Sequence, residues 1–345
     1  MIRVSSLEIS GDCSNWDHYV RDNDRASVFH LSAWGRSVHK SMKHDLYYLY
    51  AQREGNICGI LPLVHIKSKL FGNSLVSVAF SVGGGPLYDD LEILNMLDAE
   101  AIKIADNLGV DVMEYRQVKK CHDDWPEKSQ TYSTFRKTLS ADNEENMLAI
   151  PRKQRAMVRK GIKFGLTYQI DEDVDRLYTL YSTSVRNLGT PVFPKSLFKE
   201  LKAEFKDDCE ILTVLSPDGE AISSVMSFYF KEEIVPYYGG GGLSARRYAA
   251  NDFMYWSVME HAVSERSVKL FDFGRSKNGT GAYSFKKNWG FEPTALEYEY
   301  YLREGDDIPE INPLNPKYQV MIKIWRKLPL PIANLIGPMI AKSLG

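Results

Sequence analysis

Cysteine is scarce: four residues, Cys13, Cys58, Cys121 and Cys209, lie far apart in a chain of 345 and form no C-x-x-C pair. That excludes a zinc ribbon of paired cysteines and a dithiol redox motif, and it suits a reducing compartment. Long apolar runs are missing too. No stretch reaches the roughly 18 residues of a membrane-spanning helix, and Met1 to Trp16 shows no basic start followed by an apolar core. A secretory signal is therefore not expected, and the chain is expected to stay in the cytoplasm. Net charge is nearly absent, at −2, so no global field draws nucleic acid or an anionic membrane, and any such binding needs a local basic patch. The seven histidines include no H-E-x-x-H pair, and no metal site is expected.

What is present is an ordinary globular balance, 44% hydrophobic and 26% charged, in a chain long enough for two cores. An internal repeat divides it. Residues 47–63 and 210–230 each read as two alternating apolar runs around a turn, Glu54-Gly55-Asn56 in one and Asp218-Gly219 in the other. Each hairpin precedes another strand ending in glycines, Leu75–Phe80 before Gly83–Gly85 and Ile234–Tyr238 before Gly239–Gly242. A helix-period segment follows each, Leu91–Leu108 and Asp252–Ala262, then a short strand, Val110–Arg116 and Val268–Arg275. The recurrence predicts an α/β (α+β) chain of two domains of one fold, cut at 1–143 and 144–304, with a helical tail at 305–345. The polar join Ser140–Glu145 also reads as a helix start.

The segment Asp272–Phe291, DFGRSKNGTGAYSFKKNWGF, resembles the signature of Fem-type aminoacyl transferases and their BioF2-like acetyltransferase relatives. So do Ile150–Arg155, Tyr238–Trp256, Trp34 and Gly59–Leu63. The chain looks closest to the Fem-like proteins associated with exopolysaccharide and exosortase gene clusters. The resemblance implies two tandem GNAT-like domains, with mixed and mostly antiparallel sheets flanked by helices, and transfer of an acyl group to an amine. It implies aminoacyl-tRNA or acyl-CoA as donor and a nucleotide- or lipid-linked envelope precursor as acceptor. Two departures stand out. No long heptad arm is inserted in the second domain, which speaks against tRNA. The Gln/Arg-x-x-Gly-x-Gly/Ala loop that holds coenzyme A in ordinary GNAT enzymes is also missing.

Acyl transfer to an amine needs a group that stabilises the developing oxyanion and a group that takes the amine proton. Lys286, matching the Phe-Lys pair of the motif with Phe285, is the candidate for the first role, against a solvated helix lysine. Asp272, ending a strand, is the candidate base, against an ion pair with Arg275 or Arg116. Glu114 holds the equivalent place in the first copy. Gly239–Gly242 reads as a glycine turn into a helix, with Arg246 and Arg247 nearby and Asn251 or Asp252 as cap, the cap reading favoured for Asp252. Gly83–Gly85 read as structural.

The sharpest basic cluster is Arg152, Arg155, Arg159 and Lys163, on one face of a helix opening at Pro151. Phosphate or diphosphate binding is weighed there against a solvated face. Trp34, Tyr238 and Tyr283 are the aromatic candidates for a sugar or peptide groove, with Asn251, Arg275 and Phe285 as further substrate contacts. His39 and His44 read as surface. In the tail, Tyr318–Leu328 and Ile332–Leu344 read as two amphipathic helices that dock on the first domain or lie on a membrane surface. A coenzyme A-dependent N-acetyltransferase and a non-catalytic glycan- or lipid-binding protein of envelope assembly are the rival functions.

Overall fold

Two eight-stranded sheets carry the fold in a computed structural model that describes residues 1–68, 71–305, 308 and 316–344. By contact the chain divides into two units. The described residues of Met1–Thr131, Ala295–Asn312 and Met339–Gly345 form one, and those of Tyr132–Thr294 and Pro313–Pro338 the other.

The chain opens with β1 (Ile2–Leu7), α1 (Ser14–Asp22), α2 (Ser32–Met42), β2 (Asp45–Arg53), β3 (Asn56–Ser68), β4 (Gly72–Ser77) and β5 (Leu87–Tyr88). There follow α3 (Leu91–Leu108), β6 (Val112–Tyr115) and β7 (Glu127–Lys128). The second series runs β8 (Tyr132–Thr138), α4 (Asn143–Ala149), α5 (Arg152–Lys163), β9 (Thr167–Ile170), α6 (Asp175–Leu188) and α7 (Lys195–Phe205). It continues with β10 (Cys209–Leu215), β11 (Ala221–Phe230), β12 (Glu233–Gly241), α8 (Ala245–Tyr248), α9 (Ala250–Arg266) and β13 (Leu270–Asp272). The last elements are β14 (Ser276–Lys277), α10 (Gly281–Asn288), β15 (Pro293–Ala295), β16 (Tyr298–Leu302), α11 (Pro316–Trp325) and α12 (Leu330–Ala341).

The repeat predicted from the hairpins is present. The β2–β3 hairpin closes through Glu54 and Gly55, both at positive φ (53° and 85°), the geometry that suits a two-residue turn to the strand twist. α3 starts on an Asp90 cap that accepts the Ile93 N–H at 3.0 Å. It buries Ile93, Leu97, Ala101 and Ala105, one helical stripe, in the first core. Its counterpart α9 is buried on most of its circumference, with Met254, Trp256, Val258, Met259 and Ala262 all in the second core. The β1–α1–α2 and β9–α6–α7 lead-ins escape the hairpin pattern.

The first sheet runs β1-β2-β3-β4-β6-β16-β7 and the second β9-β10-β11-β12-β13-β8-β14. In each, the neighbours are antiparallel except one parallel junction, β4 with β6 and β12 with β13. The sixth position is exchanged. In the first sheet it holds β16, which follows the second copy in sequence, and in the second sheet β8, which precedes that copy. The contact division therefore differs from cuts at 143/144 and 304/305. The tail is divided: the described residues of Met339–Gly345 group with the first unit, where the Lys342 carbonyl bonds His44, and those of Pro313–Pro338 with the second. The second grouping has a local reason, since Ile322 and Arg326 lie against Gly189 and Gly337 against Val192. The proline-rich start of the tail lies largely outside the described residues. Among those described, no helix is long and apolar enough to cross a membrane.

Candidate active site

The parallel junction of the second sheet is short. β12 and β13 pair only at Glu233–Leu270 and Ile234–Phe271, after which β13 ends at Asp272 while β12 runs on to Gly241. Strands that part in this way open a groove at the carboxyl end of the shorter one, where α/β sheets present groups to ligands. Gly274, at φ 67°, turns the chain there, and no heavy atom lies within 4 Å of where a Cβ would stand.

Two charged groups flank that turn. Asp272 Oδ1 accepts the Gly274 N–H at 2.6 Å and the Thr134 hydroxyl at 3.3 Å. From the other side, the Lys286 ammonium donates to the Gly274 and Arg275 carbonyls at 2.9 and 3.0 Å. It lies over the Phe135 and Phe273 rings, 5.5 and 6.0 Å from their centres. Strand alternation puts Asp272 on the sheet face opposite Phe135 and Phe273, so the two groups approach the end of β13 from opposite faces. Burial brings Lys286 down to about 7, against the pull of the Asp272 charge and with the push of Arg275. Two of its three N–H donors are used on carbonyls, which leaves the third for a ligand.

α10 brings Lys286 there because Thr280 caps its start, accepting the Tyr283 N–H at 3.3 Å. Trp289, just past its end, is fully buried and donates to Asp252 at 3.1 Å. Asp252 also accepts from Gln154 at 2.9 Å, so one buried carboxylate joins α5, α9 and the end of α10. Burial raises its pKa and the two donors lower it. The expected Asp252 cap is thus corrected: the side chain points into the core.

The sequence pattern missed Glu233 and Arg136. Arg136, on β8, pairs with Glu233 and lies 3.4 Å from Asp272. Burial, then the charge of Asp272, raise Glu233 to about 7 despite Arg136. Two carboxylates thus share one guanidinium beside the strand end. Arg136 is thus a partner of Asp272 that the sequence did not suggest. Arg275 lies over the Tyr132 ring at 4.4 Å, and Glu114 pairs with Arg116 at 2.8 Å.

The basic stripe forms on α5, with Pro151 at the N-cap. Arg152, Arg155, Arg159 and Lys163, joined by Ala156 and Lys160, line an open depression of about 480 Å³. No ion pair holds these cations among the described residues; Arg155 donates to the Leu148 carbonyl at 3.3 Å.

Several expected site residues lie elsewhere. Trp34 is 1% exposed, edge-on to Phe29 and bonded to the Ala79 carbonyl, so no ring face is open to a ligand. Tyr238 is 5% exposed among Tyr181, Phe193, Phe198 and Tyr237. Phe285 is half-buried against Tyr255, Phe273 and Trp289, while Tyr283 sits edge-on to Phe135 with part of its ring exposed. Asn251 is exposed in the first turn of α9, beside Gly241. The expected glycine turn is strand: Gly239–Gly241 belong to β12, and a Cβ on Gly240 would stand 2.7 Å from the backbone of α6 at Leu180 and Tyr181. His44, expected at the surface, is buried and bonded to the Lys342 carbonyl, whereas His39 is exposed.

Residues 150–287 match the family model of the acetyltransferase (GNAT) domain. No curated protein matches the chain by sequence. Among solved structures, FemX superposes with a TM-score of 0.67 at 16% identity, over 93% of this chain and 100% of FemX. A tandem GNAT protein of the clavulanic acid biosynthesis pathway does so at 0.58 and 10% identity, covering 89% and 100%. L-PGS from Bacillus licheniformis gives 0.54 at 12% identity, covering 92% and 98%. The whole chain thus has the fold of these proteins, a tandem GNAT protein among them, and the GNAT-domain match falls in its second unit.

Proposed function

We propose that this GNAT-type acyltransferase moves an acyl or aminoacyl group onto an amine of a nucleotide- or lipid-linked envelope precursor. The observation that carries the reading is the end of β13, where Lys286 keeps one N–H donor for a ligand and Asp272 with Glu233 stands across the turn. An acceptor amine is protonated at neutral pH and must lose that proton to attack. The Asp272–Glu233 pair takes it; the amine nitrogen bonds to the acyl carbon, and the Lys286 ammonium stabilises the oxyanion. Collapse breaks the bond to the donor's oxygen or sulfur, which leaves with a proton. Phosphates on the acceptor are held by Arg152, Arg155 and Arg159, with Lys160 and Lys163 adding charge. Tyr283, Arg275 and Asn251 are the remaining substrate contacts.

Acetyl-CoA as donor has its own support, since the matching family is an acetyltransferase one. Titration calorimetry and turnover with acetyl-CoA, aminoacyl-tRNA and UDP-aminosugars separate the donors. Lys286→Met is expected to lower kcat about 10²–10³-fold with its melting temperature little changed. Unchanged turnover removes Lys286 from the mechanism.

A lipid-linked acceptor is supported by the tail. Ile324, Ile332 and Leu335 are exposed beside the exposed Lys323 and Lys327, a composition that favours the surface of an anionic bilayer. Sedimentation with phosphatidylglycerol vesicles is expected to carry the protein down at low salt, and Leu335→Glu to reduce that. Equal sedimentation of both proteins would rule the tail out as the contact.

A further inference from the structure

Acyl transfer leaves unused a polar cluster inside the first unit. Cys121 and His122 sit in the loop between β6 and β7, and Glu299 sits on β16, 178 residues from Cys121. The Cys121 Sγ lies 3.5 Å from His122 Nδ1 and 3.3 Å from Glu299 Oε2, and Nδ1 lies 3.3 Å from Oε1. Ligands bound to one tetrahedral Zn²⁺ at about 2.0–2.3 Å stand about 3.3–3.6 Å from one another. Each pair of residues brings donor atoms to that spacing, with Glu299 turning one carboxylate oxygen to the sulfur and the other to the imidazole.

The surroundings agree with that geometry. Behind the ring, His122 Nε2 meets Asp98 Oδ2 at 2.9 Å, and Asp98 Oδ1 accepts the Tyr115 hydroxyl at 2.9 Å. A carboxylate in that position takes the Nε2–H, so Nδ1, which faces Glu299 Oε1, is the nitrogen that would bind a metal once it gives up its proton. Trp125 stacks on the ring at 4.0 Å and holds its plane. Glu299 is 0% and Asp98 7% exposed, so two carboxylates are out of water around one imidazole. Glu299 also accepts the Cys121 and His122 backbone N–H groups at 3.0 and 2.7 Å and the Gln117 amide, which hold its carboxylate in place.

We propose that Cys121, His122 and Glu299 bind one divalent transition-metal ion, Zn²⁺ by donor set, with Asp98 orienting His122. The sulfur donor excludes Mg²⁺ and Ca²⁺, which take oxygen. Three protein ligands leave a fourth corner for water, beside the Gln117 amide, whose Nε2 is 3.2 Å from Cys121 Sγ. Binding displaces the thiol proton and any proton on Nδ1. The ion ties β16 to the β6–β7 loop and, through Asp98, to α3. It secures the strand that arrives from beyond the second copy. Ligands on residues 121, 122 and 299 make no spaced motif, so the absence of H-E-x-x-H did not bear on them.

The test uses the full chain, stripped with chelator, loaded with Zn²⁺ or Co²⁺ and desalted. About one ion per chain is expected, with a thiolate-to-cobalt charge-transfer band and a higher melting temperature. Cys121→Ser should lose the band and bind at least about tenfold more weakly, and Asp98→Asn about 10–100-fold more weakly. X-ray absorption on the zinc-loaded parent protein should read one sulfur at about 2.3 Å with nitrogen or oxygen at about 2.0–2.2 Å, which decides the matter even if a variant fails to fold. No retained ion, a shell with no sulfur or several, or affinity unchanged in a folded Cys121→Ser overturns the proposal and leaves the cluster a metal-free ion triad.

Discussion

The proposed roles need Lys286 and Glu233 in opposite protonation states, while burial moves both groups to about 7. In its proposed role Lys286 acts only as the ammonium, so its contribution is expected below about 7 and lost as pH rises through that value. Glu233 accepts a proton only as the carboxylate, so its contribution appears as pH rises through about 7. The product of the two is a narrow bell centred near neutrality. Glu233→Gln is expected to lower the maximum of kcat/KM and abolish or displace the acid limb while the alkaline limb stays. An acid limb unmoved in that variant would assign it to the acceptor amine alone. Lys286 was legible because a motif marks it. Glu233 was not: it follows Lys231 and Glu232 in what reads as a polar hairpin turn, and only the β12–β13 junction brings it to Asp272.

Among the elements, β12 shows how packing overrides local chemistry. Four consecutive glycines, 239–242, read as a turn because glycine tolerates any backbone conformation. Yet Gly239–Gly241 are extended, and Gly240 lacks a side chain where α6 crosses. Gly240→Ala is expected to destabilise the second unit by about 1–3 kcal/mol, because the new methyl meets backbone and not a yielding side chain. Urea unfolding monitored by tryptophan fluorescence reads this directly, and a variant as stable as the parent would show that α6 can slide. The periodic helices were readable because their stripes repeat along the chain. The burial of Trp34 and Tyr238 was not readable, since each carries the same side chain whether it lines a groove or fills a core.

At the scale of the molecule, the exchanged sixth strands set what can fold alone. Residues 1–131 lack β16, which pairs with both β6 and β7 in the first sheet, so this fragment carries unpaired strand edges. Residues 132–294 keep β8 through β14 and the whole second core. Expressed separately, the first fragment is expected to show no cooperative thermal transition by circular dichroism, and the second to melt cooperatively. A cooperative transition in residues 1–131 alone would mean that β16 is dispensable.

Local pattern was enough for whatever depends on neighbours within about 20 residues. That covers the hairpins, the α3 and α9 stripes, the basic face of α5, the Thr280-to-Trp289 stretch around Lys286 and the duplication itself. Pairings between distant residues needed the folded chain: β8 and β16 in each other's expected domain, Asp272 with Glu233 and Arg136, Asp252 with Gln154 and Trp289, and Glu299 with Cys121 and His122. Strand alternation says which residues share a face, but a strand's partner is chosen by which arrangement buries the most apolar surface while satisfying its backbone, and that choice is made over the whole chain at once.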